Sequence, residues 1–146
     1  MNSIFEPASR DELLHRLNRL TSGATPLWGK MRVDQMLHHL NLSMEAALGK
    51  VILKGKYRFF MRPFKGVLYN DKPFGMGRPT PRDFVVQDDY DFHLELEKAT
   101  QNLQEISKRA FSDSFQPHVF FGPLSNEQWG KHFYKHTDHH LRQFGC

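Results

Sequence analysis

Apolar residues recur at steps of three and four along four separate segments of the chain, and this spacing constrains the fold more than any other feature. The clearest segment has apolar residues at alternating steps of four and three, namely Phe92, Leu96, Ala99, Leu103, Ile106 and Ala110. Such a period places these side chains on one face of a helix, as in the seam of a helical bundle. The pattern therefore predicts an amphipathic helix that packs against other helices.

Two further helices have recognisable N-termini. Ser9 and Glu12 have the spacing of a capping box, and an apolar stripe follows them: Leu13, Leu14, Leu17 and Leu20. Ser125 and Gln128 have the same spacing before the last apolar-periodic segment, which runs to a glycine stop at Gly145. These signals predict the first and the fourth helix.

A second helix is predicted over about residues 32–48, and a long connection over about 51–87 follows it. The connection has no strong period, and its aromatic residues are expected to pack on the helices: Phe59, Phe60, Phe64 and Phe74. A long middle connection between short links lets helices 2 and 3 lie parallel. The sequence thus predicts an all-α fold, an up-down-down-up four-helix bundle with a long crossover between helices 2 and 3. At 146 residues the chain is expected to form one domain, residues 1–146.

Cysteine usage and hydropathy bear on the compartment. The single cysteine, Cys146, excludes a disulfide framework and a cysteine-based zinc motif. The N-terminus lacks the basic and apolar regions of a signal peptide, and no apolar stretch approaches the ~20 residues that span a bilayer. We therefore expect a cytoplasmic protein without membrane insertion. A homodimer is one expected state, since bundles of this size commonly dimerise, but no exposed apolar stripe requires it.

Basic residues are concentrated in residues 50–83, although the net charge is only +4. This excess indicates a solvated basic loop, or one whose Arg58, Arg62 and Lys65 attract an anionic cosubstrate. Interleaved aromatic residues also raise nucleic-acid binding as a third interpretation. No recognition helix or other nucleic-acid motif accompanies the basic residues, so nucleic-acid binding is disfavoured.

Four of the nine histidines lie within residues 132–140, which indicates either a His-rich polar helix face or half of a metal site. His132, His136 and His140 are four residues apart and share one helix face, with Trp129 and Phe133 beside them. The aromatic neighbours favour a buried position for this face, with His139 at its border. The opposite, polar side is marked by Lys131, Lys135, Asp138 and Arg142.

The two adjacent histidines of helix 2 have different neighbours. His38 is in line with Asp34, Asn41 and Glu45, a uniformly polar stripe, so His38 is predicted to point outward. His39 is in line with mostly small or apolar residues, and Ser43 is one helical turn away. His39 is therefore predicted to point toward the interior, where it can meet the histidines of helix 4.

Three inward imidazoles, from His39, His136 and His140, would suit a divalent transition metal such as zinc, nickel, copper or iron. Three protein ligands leave a coordination position open, which is typical of a catalytic metal. His132 is either a fourth ligand or a histidine of the core or rim. Gln143 and Ser43 are expected to line the site as hydrogen-bonding neighbours. The other histidines are interpreted as ordinary surface or rim residues: His15, His93 and His118.

Three motifs carry a resemblance to a known family: "DQMLHHL", "FFGPLSNEQWG" and "KHTDHHLRQFG". With them the chain resembles the DinB/YfiT-like superfamily of metal-dependent bacterial proteins, and more narrowly a branch catalogued as a domain of unknown function. The resemblance extends from "LTSGATPLWGKM" to the C-terminus. It implies a four-helix bundle with a long middle crossover and metal ligands at His39, His136 and His140, followed by Gln143.

The resemblance also implies a range of activities. Some relatives are S-transferases in which the metal activates a low-molecular-weight thiol such as bacillithiol or mycothiol, and another is an isomerase that uses such a thiol. The first hypothesis is accordingly a metal-dependent enzyme, a thiol transferase or a hydrolase, acting on a small molecule. The alternative is a non-enzymatic small-molecule-binding or structural bundle in which the metal site is vestigial.

Overall fold

The computed structural model describes residues 2–53, 59–77, 84–109 and 115–146, and within these ranges the protein is all-α, as predicted. In chain order the elements are helix α1 (Pro7–Leu17), helix α2 (Val33–Leu48), a 3-10 helix (Phe59–Leu68), helix α3 (Phe92–Lys108) and helix α4 (Asn126–Gln143). The described ranges contain an isolated antiparallel bridge between His118 and Gly122 but no strand. The up-down-down-up order of helix directions stays a prediction. None of the helices in these ranges combines the length and the apolar character needed to cross a membrane.

The helix ends follow the capping signals in one case and depart from them in another. Ser125 Oγ accepts the Gln128 N–H at 3.2 Å and Gln128 Oε1 accepts the Ser125 N–H at 3.1 Å, so the predicted capping box of α4 is confirmed. The capping box predicted at Ser9 is wrong, because α1 begins two residues earlier, at Pro7. Proline suits the first helical position, since its fixed φ matches the helix and its missing N–H would have no partner there. Ser9 lies inside the helix, where its hydroxyl donates to Glu6 Oε2 at 3.0 Å.

The predicted apolar faces of the four α-helices form one core. Leu14, Phe92 and Leu96 are partly buried against it, and Ala110 lies outside the described residues. The fully enclosed side chains include Leu13, Leu17, Met36, Leu37, Leu40, Met44, Leu103, Ile106, Phe133 and Leu141. Burying each of these side chains stabilises the fold by about 1.5–3 kcal/mol before conformational entropy is subtracted.

A polar layer joins α2 to α3, so the polar stripe that predicts an outward His38 does not simply face solvent: the His38 side chain is only 25% exposed. Asn41 is fully buried, and its Nδ2 donates to Glu95 Oε2 at 2.7 Å and to the Glu95 carbonyl at 2.9 Å. Asn102 Nδ2 donates to Asn41 Oδ1 at 3.1 Å. The His38 ring stacks on Tyr90 with 3.8 Å between centroids, and its Nδ1 lies 3.2 Å from Glu95 Oε1. Asn41 can be buried in this stripe because α3 offers its side chain a matching set of polar partners.

Two members of the predicted polar side of α4 also make tertiary contacts. Lys135 is buried, and its Nζ donates to two backbone carbonyls of the middle connection and to Asn70 Oδ1 at 2.8 Å. The same ammonium group lies 4.4 Å from the centroid of the Phe74 ring. Asp138 accepts from Arg16 of α1 at 2.8 Å. This side of α4 therefore holds the middle connection and α1 in place.

The aromatic residues of the middle connection have different surroundings. Phe74 is half-buried beside α4, whereas Phe60 and Phe64 are 63% and 66% exposed, so the expectation that they pack on the helices is wrong for these two. The side chain of Phe59 is outside the described part. Five of the basic residues also fall in ranges that are not described: Lys54, Lys56, Arg58, Arg78 and Arg82.

Candidate metal centre

Three imidazoles from two helices meet at one point. His39 lies on α2, and His136 and His140 lie one turn apart on α4. One ring nitrogen of each residue lies within 4.8 Å of the corresponding nitrogens of the other two. The two Nε2 atoms of His39 and His136 are 3.1 Å apart. The structure thus brings together the three residues that the sequence singled out, in an arrangement compatible with a metal ion.

Hydrogen bonds behind two of these rings fix which nitrogen faces the shared point. His39 Nδ1 lies 3.1 Å from the Phe84 carbonyl, which can only accept, so this nitrogen carries the proton and Nε2 is left with a free lone pair. Gln143 Nε2 donates to the Trp28 carbonyl at 2.7 Å, which turns its Oε1 toward His140 Nδ1 at 2.9 Å. His140 therefore donates from Nδ1 and also presents Nε2. Outer hydrogen bonds of this kind orient histidine ligands in metal sites.

A glycine in the link between α1 and α2 allows this arrangement. Gly29 has a φ of +82°, which side-chain-bearing residues rarely adopt. A Cβ at this position would lie 2.7 Å from Gln143 Nε2, closer than non-bonded atoms tolerate. The link can thus approach Gln143 closely enough for the Trp28 carbonyl to hold its amide.

Burial keeps the three imidazoles neutral. It lowers the pKa of His39, and the hydrogen bond to the Phe84 carbonyl only partly opposes this effect. Burial, together with neighbouring imidazoles, lowers the pKa of His136 and of His140 well below the usual histidine value. Removing an ion from water costs free energy, so a buried imidazole without a counter-charge stays unprotonated. The neutral form has the lone pair that binds transition metals.

The three rings line a cavity of about 610 Å³. Its volume lies within the range of about 300–1,000 Å³ that is typical of small-molecule sites. Lys30 is the charged residue of its described lining, which contains no carboxylate. The wall is otherwise formed mainly by aromatic, apolar and histidine side chains, among them Trp28, Leu68, Phe74, Phe84, Phe120 and Phe121. The wall is therefore largely apolar, with a small number of polar groups.

Three histidines outside the group of three also line this cavity, namely His118, His132 and His139. The buried His132 ring stacks on the His136 ring, with 5.6 Å between the ring centroids. His132 does not belong to the group of His39, His136 and His140, whose ring nitrogens lie within 4.8 Å of one another. His118 is half-buried and lines the cavity, which agrees with the rim position among the interpretations, and burial lowers the pKa of its ring to about 4. Its ring lies 5.4 Å from that of His132. His118 belongs to the loop before α4, and no periodic spacing in the sequence could have placed it here.

The remaining predicted neighbours have identifiable positions. Ser43 lines the cavity one turn from His39, and Gln143 makes the hydrogen bonds described above. His139 also lines it, with its ring edge-on to Phe74 at 5.8 Å. The middle connection thereby contributes a wall of the cavity through Phe74.

Comparison with protein families places nearly the whole chain in one of them. Residues 5–145 match the model of the family described as "Protein of unknown function (DUF1569)". No curated protein matches the chain, and no solved structure matches it.

Proposed function

Because the chain belongs to the DUF1569 family, whose description assigns no activity, its function rests on the site, and we propose that it binds a divalent transition metal through His39, His136 and His140 for chemistry on a small molecule. The observation that carries this proposal is the convergence of three neutral imidazoles, from two helices, at the wall of a cavity of about 610 Å³. The resemblance of the "HHL" and "KHTDHHLRQFG" motifs to the DinB/YfiT-like superfamily supports the same ligand set.

The donor set fits zinc, nickel, copper or iron, which accept imidazole nitrogen. With three protein ligands, such a metal keeps a position at which a water or a thiol is activated by loss of a proton. His39 and His140 would donate through Nε2, because Phe84 and Gln143 hold the Nδ1 protons.

Within this proposal we favour a thiol-dependent transferase. The described cavity lining offers no carboxylate as a general base, so the chemistry is better suited to a nucleophile that the metal itself activates. A coordinated thiol is such a nucleophile, since it binds as the thiolate. Lys30, at the cavity wall, would favour an anionic over a cationic cosubstrate.

The metal proposal is tested by elemental analysis of protein purified without an affinity tag. We expect close to one equivalent of a transition metal in the wild type and loss of most of it in His39→Ala, His136→Ala and His140→Ala. His93→Ala is the matched control, because His93 is exposed on α3. Circular dichroism establishes that each variant is folded. A wild type that binds no transition metal under replete conditions, or ligand variants that retain full metal content, would contradict the proposal.

A second experiment separates transfer chemistry from simple binding. Metal-loaded protein is incubated with low-molecular-weight thiols and electrophilic acceptors, and thiol consumption is followed against the His140→Ala variant. Metal-dependent turnover supports the transferase. Binding of thiols without turnover favours instead the non-enzymatic small-molecule-binding interpretation.

A further inference from the structure

A second cavity, of about 440 Å³, adjoins the cavity of about 610 Å³ at the metal centre, which is here called the main cavity. The described wall of the second cavity contains no lysine, arginine or carboxylate and none of the three proposed metal ligands. Its apolar side chains come from the C-terminal part of α2, the segment after it, the loop before α4 and α4 itself, and include Ala46, Val51, Leu53, Pro117, Val119 and Trp129.

One face of α2 shows how the two cavities are arranged. His39, Ser43 and Ala46 follow one another at steps of four and three, so they share this face. His39 lines the main cavity, Ser43 lines both cavities and Ala46 lines the second. The two cavities therefore meet about one helical turn, ~5.4 Å, from the proposed ligand His39.

Two other segments cross from one cavity to the other. Phe84 lines both, and its carbonyl lies 3.1 Å from His39 Nδ1, so this part of the shared wall is held against the metal centre. In the loop before α4, Pro117 lines the second cavity, His118 lines both and Phe120 lines the main cavity. The shared wall is thus formed by three separate parts of the chain, which place the second cavity directly beside the proposed reaction site.

We propose that the second cavity binds the apolar, uncharged part of the molecule that reacts at the metal centre. An alkyl or aryl group that leaves water for this cavity gains free energy in proportion to the area it buries. A charged group would lose its hydration there, and no charged side chain of the described wall would compensate this loss. The substrate class is therefore a two-part molecule, with a metal-binding or reactive end and an apolar end that begins about one helical turn away. This inference rests on the proposed metal site.

The first experiment measures whether the second cavity binds an apolar molecule. Its probe is bromobenzene, which is uncharged and whose bromine quenches the fluorescence of an indole that it contacts. The chain has two tryptophans, Trp28 in the main cavity and Trp129 in the second, so the Trp28→Phe variant keeps Trp129 as the single reporter. We expect bromobenzene to quench Trp129 in a saturable manner in this variant, with or without a bound metal.

Two substitutions that fill the second cavity provide the test of its position. Ala46→Leu fills it from α2 and Val119→Phe from the loop before α4, and neither residue lines the main cavity. Each should weaken bromobenzene binding at least about 5-fold, because overpacking a filled site is unfavourable. Ala8→Leu, at an exposed position of α1, is the matched control and should leave binding unchanged. Circular dichroism establishes that each variant is folded, and the pair keeps the test decisive if one of them is not.

The second experiment connects this cavity to the metal centre. Full-length, cobalt-loaded protein is titrated with ethanethiol and with hexanethiol, and coordination of the sulfur is followed by the visible absorption of cobalt. We expect hexanethiol to bind more tightly, by about 4-fold for each methylene group that leaves water. Ala46→Leu and Val119→Phe should reduce this preference at least about 5-fold, with ethanethiol affinity and cobalt content unchanged. Ala8→Leu should keep the preference of the wild type.

The outcomes separate this inference from the proposed function. Cobalt uptake without saturable quenching of Trp129, or with a chain-length preference that neither filling variant reduces, overturns the second cavity as a substrate site and leaves the metal proposal intact. Affinity for bromobenzene that falls as the protein concentration rises would assign the apolar wall to a contact between two copies of the chain, and would also overturn the inference. Absence of cobalt uptake contradicts the metal proposal and the two-part substrate with it.

Discussion

Replacing Asn41 by leucine tests the polar layer between α2 and α3. Asn41 Nδ2 donates to the carboxylate and the backbone carbonyl of Glu95, at 2.7 and 2.9 Å, and its Oδ1 accepts from Asn102 at 3.1 Å. Leucine removes all three hydrogen bonds and leaves the Asn102 amide and a Glu95 oxygen short of a partner in a buried place. The bond to the carboxylate contributes about 1.5–3 kcal/mol and the neutral bonds about 1 kcal/mol each.

The apolar surface of leucine recovers part of this loss, so we expect Asn41→Leu to lower the free energy of unfolding by about 3 kcal/mol. For a chain of this size the melting temperature should fall by about 10 °C. Urea titration followed by circular dichroism measures the first quantity and scanning calorimetry the second. The double variant Asn41→Leu/Asn102→Leu should be less destabilised than the sum of the single variants, since both partners of one bond are then apolar.

Glu45→Leu is the matched control, because Glu45 lies on the same predicted stripe of α2 but remains partly exposed. A layer that faced solvent, as the sequence pattern indicates, would give both leucine variants effects within about 0.5 kcal/mol of the wild type. Equal, small effects for Asn41→Leu and Glu45→Leu would therefore refute the buried layer.

Three further predictions concern other contacts. Gln143→Leu removes the acceptor for His140 Nδ1 and should weaken metal affinity about 10–100-fold, measured by competition with a chromogenic chelator. Burial would raise the pKa of Glu95, but hydrogen bonds from Asn41 and from His38 outweigh this effect and lower it. The ionised Glu95 carboxylate therefore stabilises the fold above the unfolded pKa near 4.5, and this stabilisation is lost as the pH falls through the folded value. The stability difference between wild type and Glu95→Gln should thus shrink between pH 7 and pH 3 in urea titrations. Lys135→Met should increase amide hydrogen exchange in residues 67–74, because the lysine holds that segment through three oxygen acceptors.

Each of these predictions has a control on the same helix and an opposing outcome. Arg142→Ala, at an exposed position, should leave metal affinity unchanged, and equal losses in this variant and Gln143→Leu would contradict the role of the glutamine. Glu97→Gln, also exposed, should show no pH-dependent difference from the wild type. Lys131→Met should leave exchange in residues 67–74 unchanged, since Lys131 pairs with Glu127 of its own helix.

Helical spacing allowed the three-histidine group to be predicted, because the relative position of two of its members depends only on their spacing along one helix. His136 and His140 share a face through their four-residue spacing, whatever the helix packs against. The inward position of His39 followed from the apolar neighbours on its side of α2. Its Phe84 partner could not be predicted, because residue 84 reaches the site through the long middle connection, where no periodic pattern exists.

Predictions failed where polar residues find partners on other elements. A stripe such as His38 and Asn41 is polar whether it meets water or the polar face of a second helix, and only the tertiary structure shows that Glu95 and Asn102 lie opposite. Lys135 was assigned to a solvated side for the same reason. A charged side chain can be buried when several oxygen atoms surround its ammonium group, and sequence spacing does not reveal such a set.

The four-residue repeat on α4 gives the proposed site its direction. His132, His136 and His140 follow one another one turn apart on α4, with Gln143 beyond them, so two of the proposed metal ligands and the amide that orients His140 lie in order along a single helix. Because the three histidines occupy successive turns, the helix pitch of about 5.4 Å sets the spacing of their rings along the wall of the cavity. The spacing along α4 that allowed the metal site to be predicted therefore also places Gln143 beside His140.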